Sequence, residues 1–298
     1  MKIIQSLWTK PYKDKKNLEK TKAYYDLSAK CLKESGLDID LYTDELGKEL
    51  FSDSKNYKNI YVKLNNIDYF STSLWSVAKI FSMLQAEEPC IHVDGDVFFR
   101  KPNFFKKIME QNWDVLVQSQ EITEHWYYFY DKSLDIFNSL FKFENKFFCN
   151  ILRQYNYTYN VGVLGFKDFQ VFKAYASMFF KLANNLNQNL DLVKKYEDLR
   201  DGRPWVRGAK VNINCIIEQV QLTFFVNYYN LYTKELLPLN IWSDFEWQYF
   251  QNFNYDFGYE HLAGPEKYVD EKIYKKILSE IHDQSSSIDR IQANWKNY

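Results

Sequence analysis

The run Ile91-His92-Val93-Asp94-Gly95-Asp96-Val97-Phe98-Phe99 holds two carboxylates separated by one glycine, at the end of an apolar stretch. Two like charges so close are costly unless a proton or a cation lies between them. Carboxylate oxygens suit Mg²⁺ or Mn²⁺, and either ion could bridge a diphosphate. In open α/β sheets ligands collect at the carboxyl ends of strands, which is where Asp94 and Asp96 would fall. A solvated turn joining two elements is the plain alternative, and the apolar residues on both sides of the motif tell against it. A calcium loop of the EF-hand type is excluded: counted from Asp94, its sixth and twelfth positions hold Phe99 and Phe105 instead of glycine and an acid.

A second run, Glu260-His261-Leu262-Ala263-Gly264-Pro265-Glu266-Lys267, contains one of only four histidines in the chain. Imidazole is a good Mn²⁺ ligand, and Lys is a compact point charge for phosphate. The tight turn made by Gly264-Pro265 would let His261 and Lys267 face one cavity. A capped surface loop with a solvated Lys is the alternative.

The elements that must position these groups read as α/β. Lys2 to Trp8 forms a first strand, and Leu18 to Ser35 an amphipathic helix stopped at Gly36. Ile39 to Thr43, Asn59 to Leu64, Cys90 to Val93, Val115 to Gln118 and Val161 to Phe166 read as strands, and Ser71 to Gln85 as a helix with Ser or Thr at its start. Strands alternating with helices over the first 120 or so residues argue a mostly parallel central sheet with helices on both faces. Val171 to Leu190 and Cys215 to Tyr229 read as helices, and Asp201-Gly202-Arg203-Pro204 as a turn. The chain shows no repeat or linker, so a single domain over 1–298 is expected. Residues 1–120 would be its nucleotide-binding half, and 121–298 its acceptor side and C-terminal elements.

Composition narrows the classes. The 298 residues are 46% hydrophobic, enough for a sizeable core. A net charge of −1 gives no support to nucleic-acid binding, which expects a clustered basic excess. No stretch reads as an export signal or an integral membrane segment, so a cytoplasmic protein is expected. Cys31, Cys90, Cys149 and Cys215 form no CxxC pair and read as buried thiols. Aromatics reach 19%; rings pack well on sugar C–H faces, but bulk core filling accounts for most of them.

Asp94-Gly95-Asp96, Asn160-Val161-Gly162 and His261-Leu262-Ala263-Gly264-Pro265-Glu266-Lys267 together resemble the motifs of GT-A glycosyltransferases of family 8, the glycogenin and bacterial galactosyltransferase type. Those proteins have an Asp-x-Asp after an apolar strand, then an Asn-x-Gly strand, then a His-x-x-Gly-x-x-Lys loop. The resemblance implies a GT-A fold, a nucleotide-diphospho-sugar transferase. It implies a metal, Mn²⁺ or Mg²⁺, held by Asp94, Asp96 and His261. Lys267 would contact the diphosphate and Gly264 would donate a backbone N–H to it. Asn160 and Gly162 would lie beneath the donor sugar with Lys79 nearby, and Ser6, Leu7 and Trp8 would hold the base. Glu218-Gln219 stands where the family often has an Asp-Gln pair near the acceptor, and Tyr268-Val269 where it often has Pro-Trp.

The implied partners are a nucleoside-diphosphate sugar, UDP-linked, and a carbohydrate, glycan or other hydroxyl acceptor. The metal and Lys267 would stabilise the departing nucleoside diphosphate, with retention of anomeric configuration implied by the resemblance. Glu218 as general base for an inverting reaction is the variant reading. Two other functions stand beside this one. A haloacid dehalogenase-like phosphatase also uses a strand-end Asp-x-Asp followed by Val or Thr, with Asp94 as nucleophile. A sugar- or nucleotide-binding protein would keep the fold without catalysis.

Overall fold

A computed structural model describes residues 1–12, 14–101, 104–122, 157–198, 213–237, 259–261 and 271–282. The turn expected at Asp201-Gly202-Arg203-Pro204 lies outside these residues, as does Cys149. The described strands, in chain order, are β1 (Lys2–Leu7), β2 (Ile39–Thr43), β3 (Asn59–Val62), β4 (Cys90–Val93), β5 (Val97–Phe99), β6 (Val115–Ile122), β7 (Tyr157–Phe166), β8 (Thr233–Glu235) and β9 (Tyr259–His261). The architecture is α/β, and its ladders are mostly parallel. Two units are built from interleaved segments. The first is Met1–Asn65, Cys90–Asn112 and Trp242–Tyr298, and the second Asn66–Pro89 and Trp113–Ile241.

In the first unit the strands run β3-β2-β1-β4, all parallel. β1, β2 and β4 are buried along nearly their whole length. β4 follows a short apolar run, while β2, which alternates in sequence, is buried on both faces all the same. The helix Lys15–Glu34 follows β1; the Asp14 side chain accepts from Lys16 N at its start. Beyond its last turn Gly36 takes φ 70, a left-handed conformation open to glycine at little cost. The helix Glu45–Leu50 follows β2, capped by Asp44. The second oxygen of Asp44 accepts from the Thr9 amide and hydroxyl at 2.7 and 2.8 Å, tying the loop after β1 to the loop after β2.

The C-terminal helix Glu271–His282 packs on Lys15–Glu34. Ile277 joins Ala23, Tyr24, Leu27, Cys31 and Phe98 in one buried cluster. Lys20 reaches Glu271 at 2.9 Å, Lys30 donates to the Glu280 carbonyl at 2.7 Å, and Arg100 pairs with Glu280.

In the second unit the strands run β7-β6-β8. β6 and β7 are antiparallel with a register shift between Val117 and Ser119, and β6 and β8 are parallel. The helix expected over 71–85 is two pieces, a 3₁₀ turn Thr72–Leu74 and an α-helix Val77–Gln85. Asn214 is the cause: its Oδ1 accepts from Ser76 N at 3.0 Å and its Nδ2 donates to Ser73 O at 2.8 Å, taking backbone groups a continuous helix would use. The helix expected over 215–229 carries a π-turn, Ile216–Val220, between Ile213–Cys215 and Gln221–Tyr228. The helix Phe169–Gln188 is capped by Asp168 and followed by a second helix, Leu190–Asp198.

Candidate metal centre

β4 runs directly into Asp94, and the chain then turns. Val97 N–H donates to the Asp94 carbonyl at 3.1 Å, closing a four-residue turn over Asp94-Gly95-Asp96-Val97. The glycine is required by space rather than by its backbone angle: a Cβ on Gly95 would lie 2.1 Å from the ring of Tyr25. Tyr25 comes from the helix Lys15–Glu34, and its hydroxyl donates to the Ser6 carbonyl at 2.6 Å. The turn is backed further by Gln5, whose Nε2 lies 3.4 Å from the Asp94 carbonyl and donates to Ser28 Oγ at 2.8 Å. Ser28 in turn donates to the Val97 carbonyl at 2.5 Å. The two carboxylates therefore project from a turn braced by β1 and by the first long helix.

β5 follows the turn and pairs antiparallel with β9, placing Val97 opposite His261, Phe98 opposite Glu260 and Phe99 opposite Tyr259. Phe99 and Tyr259 meet edge to face at 5.4 Å, and Phe99 stacks on Phe105 at 4.4 Å. This short ladder carries His261 beside Asp96, with Nε2 3.5 Å from Oδ1. One ligand atom from each of Asp94, Asp96 and His261 lies within 4.8 Å of the others. His261 is buried, and both aspartates are partly buried. The acidic pair acts on its surroundings. The Tyr259 phenol is pushed well up, first by burial and then by Asp94 and Asp96. Tyr25 is pushed up by burial, then by Tyr12 and by the same two aspartates. Two carboxylates and one imidazole this close together could hold a divalent cation.

Residues 1–291 match the family described as "Family of unknown function (DUF6734)". The chain belongs to this family. No curated protein matches it significantly. Solved structures similar to this DUF6734 chain include a galactosyltransferase, LgtC, in complex with donor and acceptor sugar analogues. That likeness has 11% identity and a TM-score of 0.46, and covers 94% of this chain and 95% of the other. An active-site mutant of LgtC is similar at 11% identity with a TM-score of 0.44, covering 96% and 98%. Mouse xyloside xylosyltransferase 1 in its apo form is similar at 11% identity with a TM-score of 0.32, covering 78% and 76%.

Other candidate residues of the DUF6734 chain fall in varied settings. Gly264 and Lys267 lie outside the described residues. Ser6, Leu7 and Trp8 are all buried, and the Leu7 carbonyl accepts from Thr43 Oγ1 at 2.7 Å. Ser6 and Leu7 end β1, and Trp8 follows it.

Lys79, Asn160, Gly162, Glu218 and Gln219 belong to the second unit. Lys79 and Glu218 form a buried ion pair at 2.9 Å, and Lys79 also donates to the Val161 carbonyl at 2.7 Å. One ammonium thereby joins the helix Val77–Gln85, β7 and the π-turn. The Tyr175 hydroxyl donates to the Glu218 carbonyl at 3.0 Å. Asn160 Nδ2 donates to Glu121 at 2.7 Å, and Asn160 Oδ1 accepts from Gly162 N at 3.0 Å, so both ends of that amide are engaged. The Cys215 thiol is pushed well up, by burial first and then by Glu121 and Glu218, with Lys79 opposing. Gln219, next to Glu218 on the π-turn, is half-buried. Such turns recur at functional sites.

Sequence reasoning missed Tyr25, Gln5, Ser28, Glu121 and His92. Only His92 left a readable signal. Side chains two apart on a strand share a face, so His92 on β4 points the same way as Asp94.

Proposed function

We propose that the protein is a metal-dependent glycosyltransferase that moves a sugar from a UDP-linked donor to a hydroxyl of a carbohydrate or glycan acceptor. The observation that carries the reading is the convergence of Asp94, Asp96 and His261. The acids and the imidazole come from segments far apart in the chain, and the motif order independently calls for the same three. A solvated turn would need no buried histidine brought to it, and a phosphatase nucleophile at Asp94 would need none either.

In this reading Asp94 and Asp96 hold the cation through oxygen and His261 through nitrogen. When bound, Mn²⁺ supplies Lewis-acid neutralisation of the charge that develops on the departing diphosphate. Tyr25, Gln5 and Ser28 keep the turn from yielding as the carboxylates are drawn together. Lys267 adds a point charge to the diphosphate and Gly264 a backbone N–H. Glu218 and Gln219 are assigned to the acceptor side, and retention of configuration follows from the motif resemblance. The buried thiols Cys31, Cys90 and Cys215 fit a reducing, cytoplasmic setting. Among the described residues no helix is long and apolar enough to cross a membrane.

The test is calorimetric titration of UDP with and without Mn²⁺, followed by a panel of UDP-sugars assayed for release of UDP. The reading expects UDP binding that requires Mn²⁺ and disappears with chelator, and slow Mn²⁺-dependent hydrolysis of at least one UDP-sugar. Release of inorganic phosphate from simple phosphate esters, with no UDP binding, would put the phosphatase in its place.

A further inference from the structure

We propose that His92 is a positioning residue for Asp94, held in turn by Ser6, an inference that rests on the metal reading above. His92 lies on β4 two residues before Asp94 and is 1% exposed. Its Nε2 is 2.8 Å from Ser6 Oγ, and its Nδ1 is 3.5 Å from Asp94 Oδ1. Ser6 sits on β1, the strand beside β4, and its carbonyl accepts from the Tyr25 hydroxyl. The residue that braces Gly95 therefore also fixes Ser6, and Ser6 reaches the imidazole.

The proposal takes the Ser6 hydroxyl as donor to the ring. A serine hydroxyl donating to Nε2 leaves the imidazole proton on Nδ1, the atom that faces the carboxylate. Ser6 then orients the ring and the ring orients Asp94. His92 steers the Asp94 oxygen that faces it. Partners behind metal ligands commonly act this way, fixing the ligand's orientation and raising affinity without touching the ion. A histidine kept only for packing would need no alignment of both nitrogens, one toward a hydroxyl and one toward a ligand carboxylate.

The test is Mn²⁺ titration calorimetry on the full chain for wild type, His92→Asn, His92→Gln and Ser6→Ala, with the Tm of each measured in parallel. An Asn amide nitrogen falls near the Nδ1 position, and a Gln amide nitrogen near the Nε2 position. His92→Asn is expected to hold Mn²⁺ affinity within about threefold of wild type, and His92→Gln to weaken it about tenfold, the lower end of what outer-shell changes do. Ser6→Ala is expected to weaken it by about threefold with His92 still present. These losses should not follow the order of the Tm values. Equal affinity in all four proteins, or losses that track Tm, would overturn the inference and leave the metal reading standing. A wild type that binds no Mn²⁺ would overturn the metal reading and the inference with it. Should the His92 variants fail to fold, Ser6→Ala decides the matter alone: loss supports the chain, and wild-type affinity overturns it.

Discussion

Among the described residues, two clusters of charge, one in each unit, are built on opposite principles. In the second unit Lys79 faces Glu218 at 2.9 Å, opposite charges matched across elements distant in sequence. In the first, Asp94 and Asp96 share a four-residue turn, like charges pressed together with an imidazole beside them. An internally matched pair acts as a brace, because each group neutralises the other. Two carboxylates gathered at a strand end store repulsion that a cation would relieve. The contrast is between a charge matched by its opposite and like charges gathered in one turn.

The comparison breaks most sharply at Lys79. Lys79→Met should cost about 3–5 kcal/mol in urea denaturation, because it leaves a buried carboxylate without its ion-pair partner. Adding Glu218→Leu should recover most of that loss. If the single substitution is nearly neutral, the brace description fails. Asp96→Asn is the counterpart: it should leave Tm unchanged or raised, since it removes like-charge repulsion. In calorimetry it should weaken Mn²⁺-dependent UDP binding by more than about a hundredfold, because a lost ligand costs more than a lost outer-shell partner.

Gly95→Ala sharpens the account of the turn. The new methyl would collide with the Tyr25 ring, so stability should fall by about 1–3 kcal/mol and Mn²⁺ binding should weaken with it. Pairing it with Tyr25→Leu should restore part of the stability. Smallest is Glu271, whose carboxyl is held down to about 2, from an ordinary 4.5, by hydrogen bonds from Lys20 and Lys16. A depressed value contributes stability above the unfolded value and loses it as pH falls through the folded one. Glu271→Gln should therefore lower Tm slightly at neutral pH and match wild type below about pH 2. The group is half-exposed, and solvent screening keeps the effect small.

What could be read from the sequence divides along the same line. β2 and β4 begin and end where the sequence puts them, β2 through its alternation and β4 through its short apolar run. The pairing of β5 with β9 was invisible: each strand has three residues, and the partners lie about 160 positions apart, so no local period marks them. His261 was singled out through motif order, and the ladder that delivers it to Asp96 emerges only in three dimensions. The same holds for Lys79, whose place on an apolar helix face looks like that of any surface lysine until Glu218 and the Val161 carbonyl are seen around it. Asn214 splitting the helix expected over 71–85 is a tertiary effect that no propensity anticipates. The reason for glycine at position 95 is likewise not local, since a ring from another helix decides it.

The central claim is that Asp94, Asp96 and His261 hold one divalent cation. Crystals grown with Mn²⁺ and UDP, with diffraction recorded at the manganese absorption edge, test it most directly. The account predicts a single anomalous peak bonded to an oxygen of each aspartate and to a nitrogen of His261, with the UDP diphosphate completing the coordination. A UDP complex with no manganese at this turn, or a manganese ion bonded to the aspartates while His261 faces away, would contradict it.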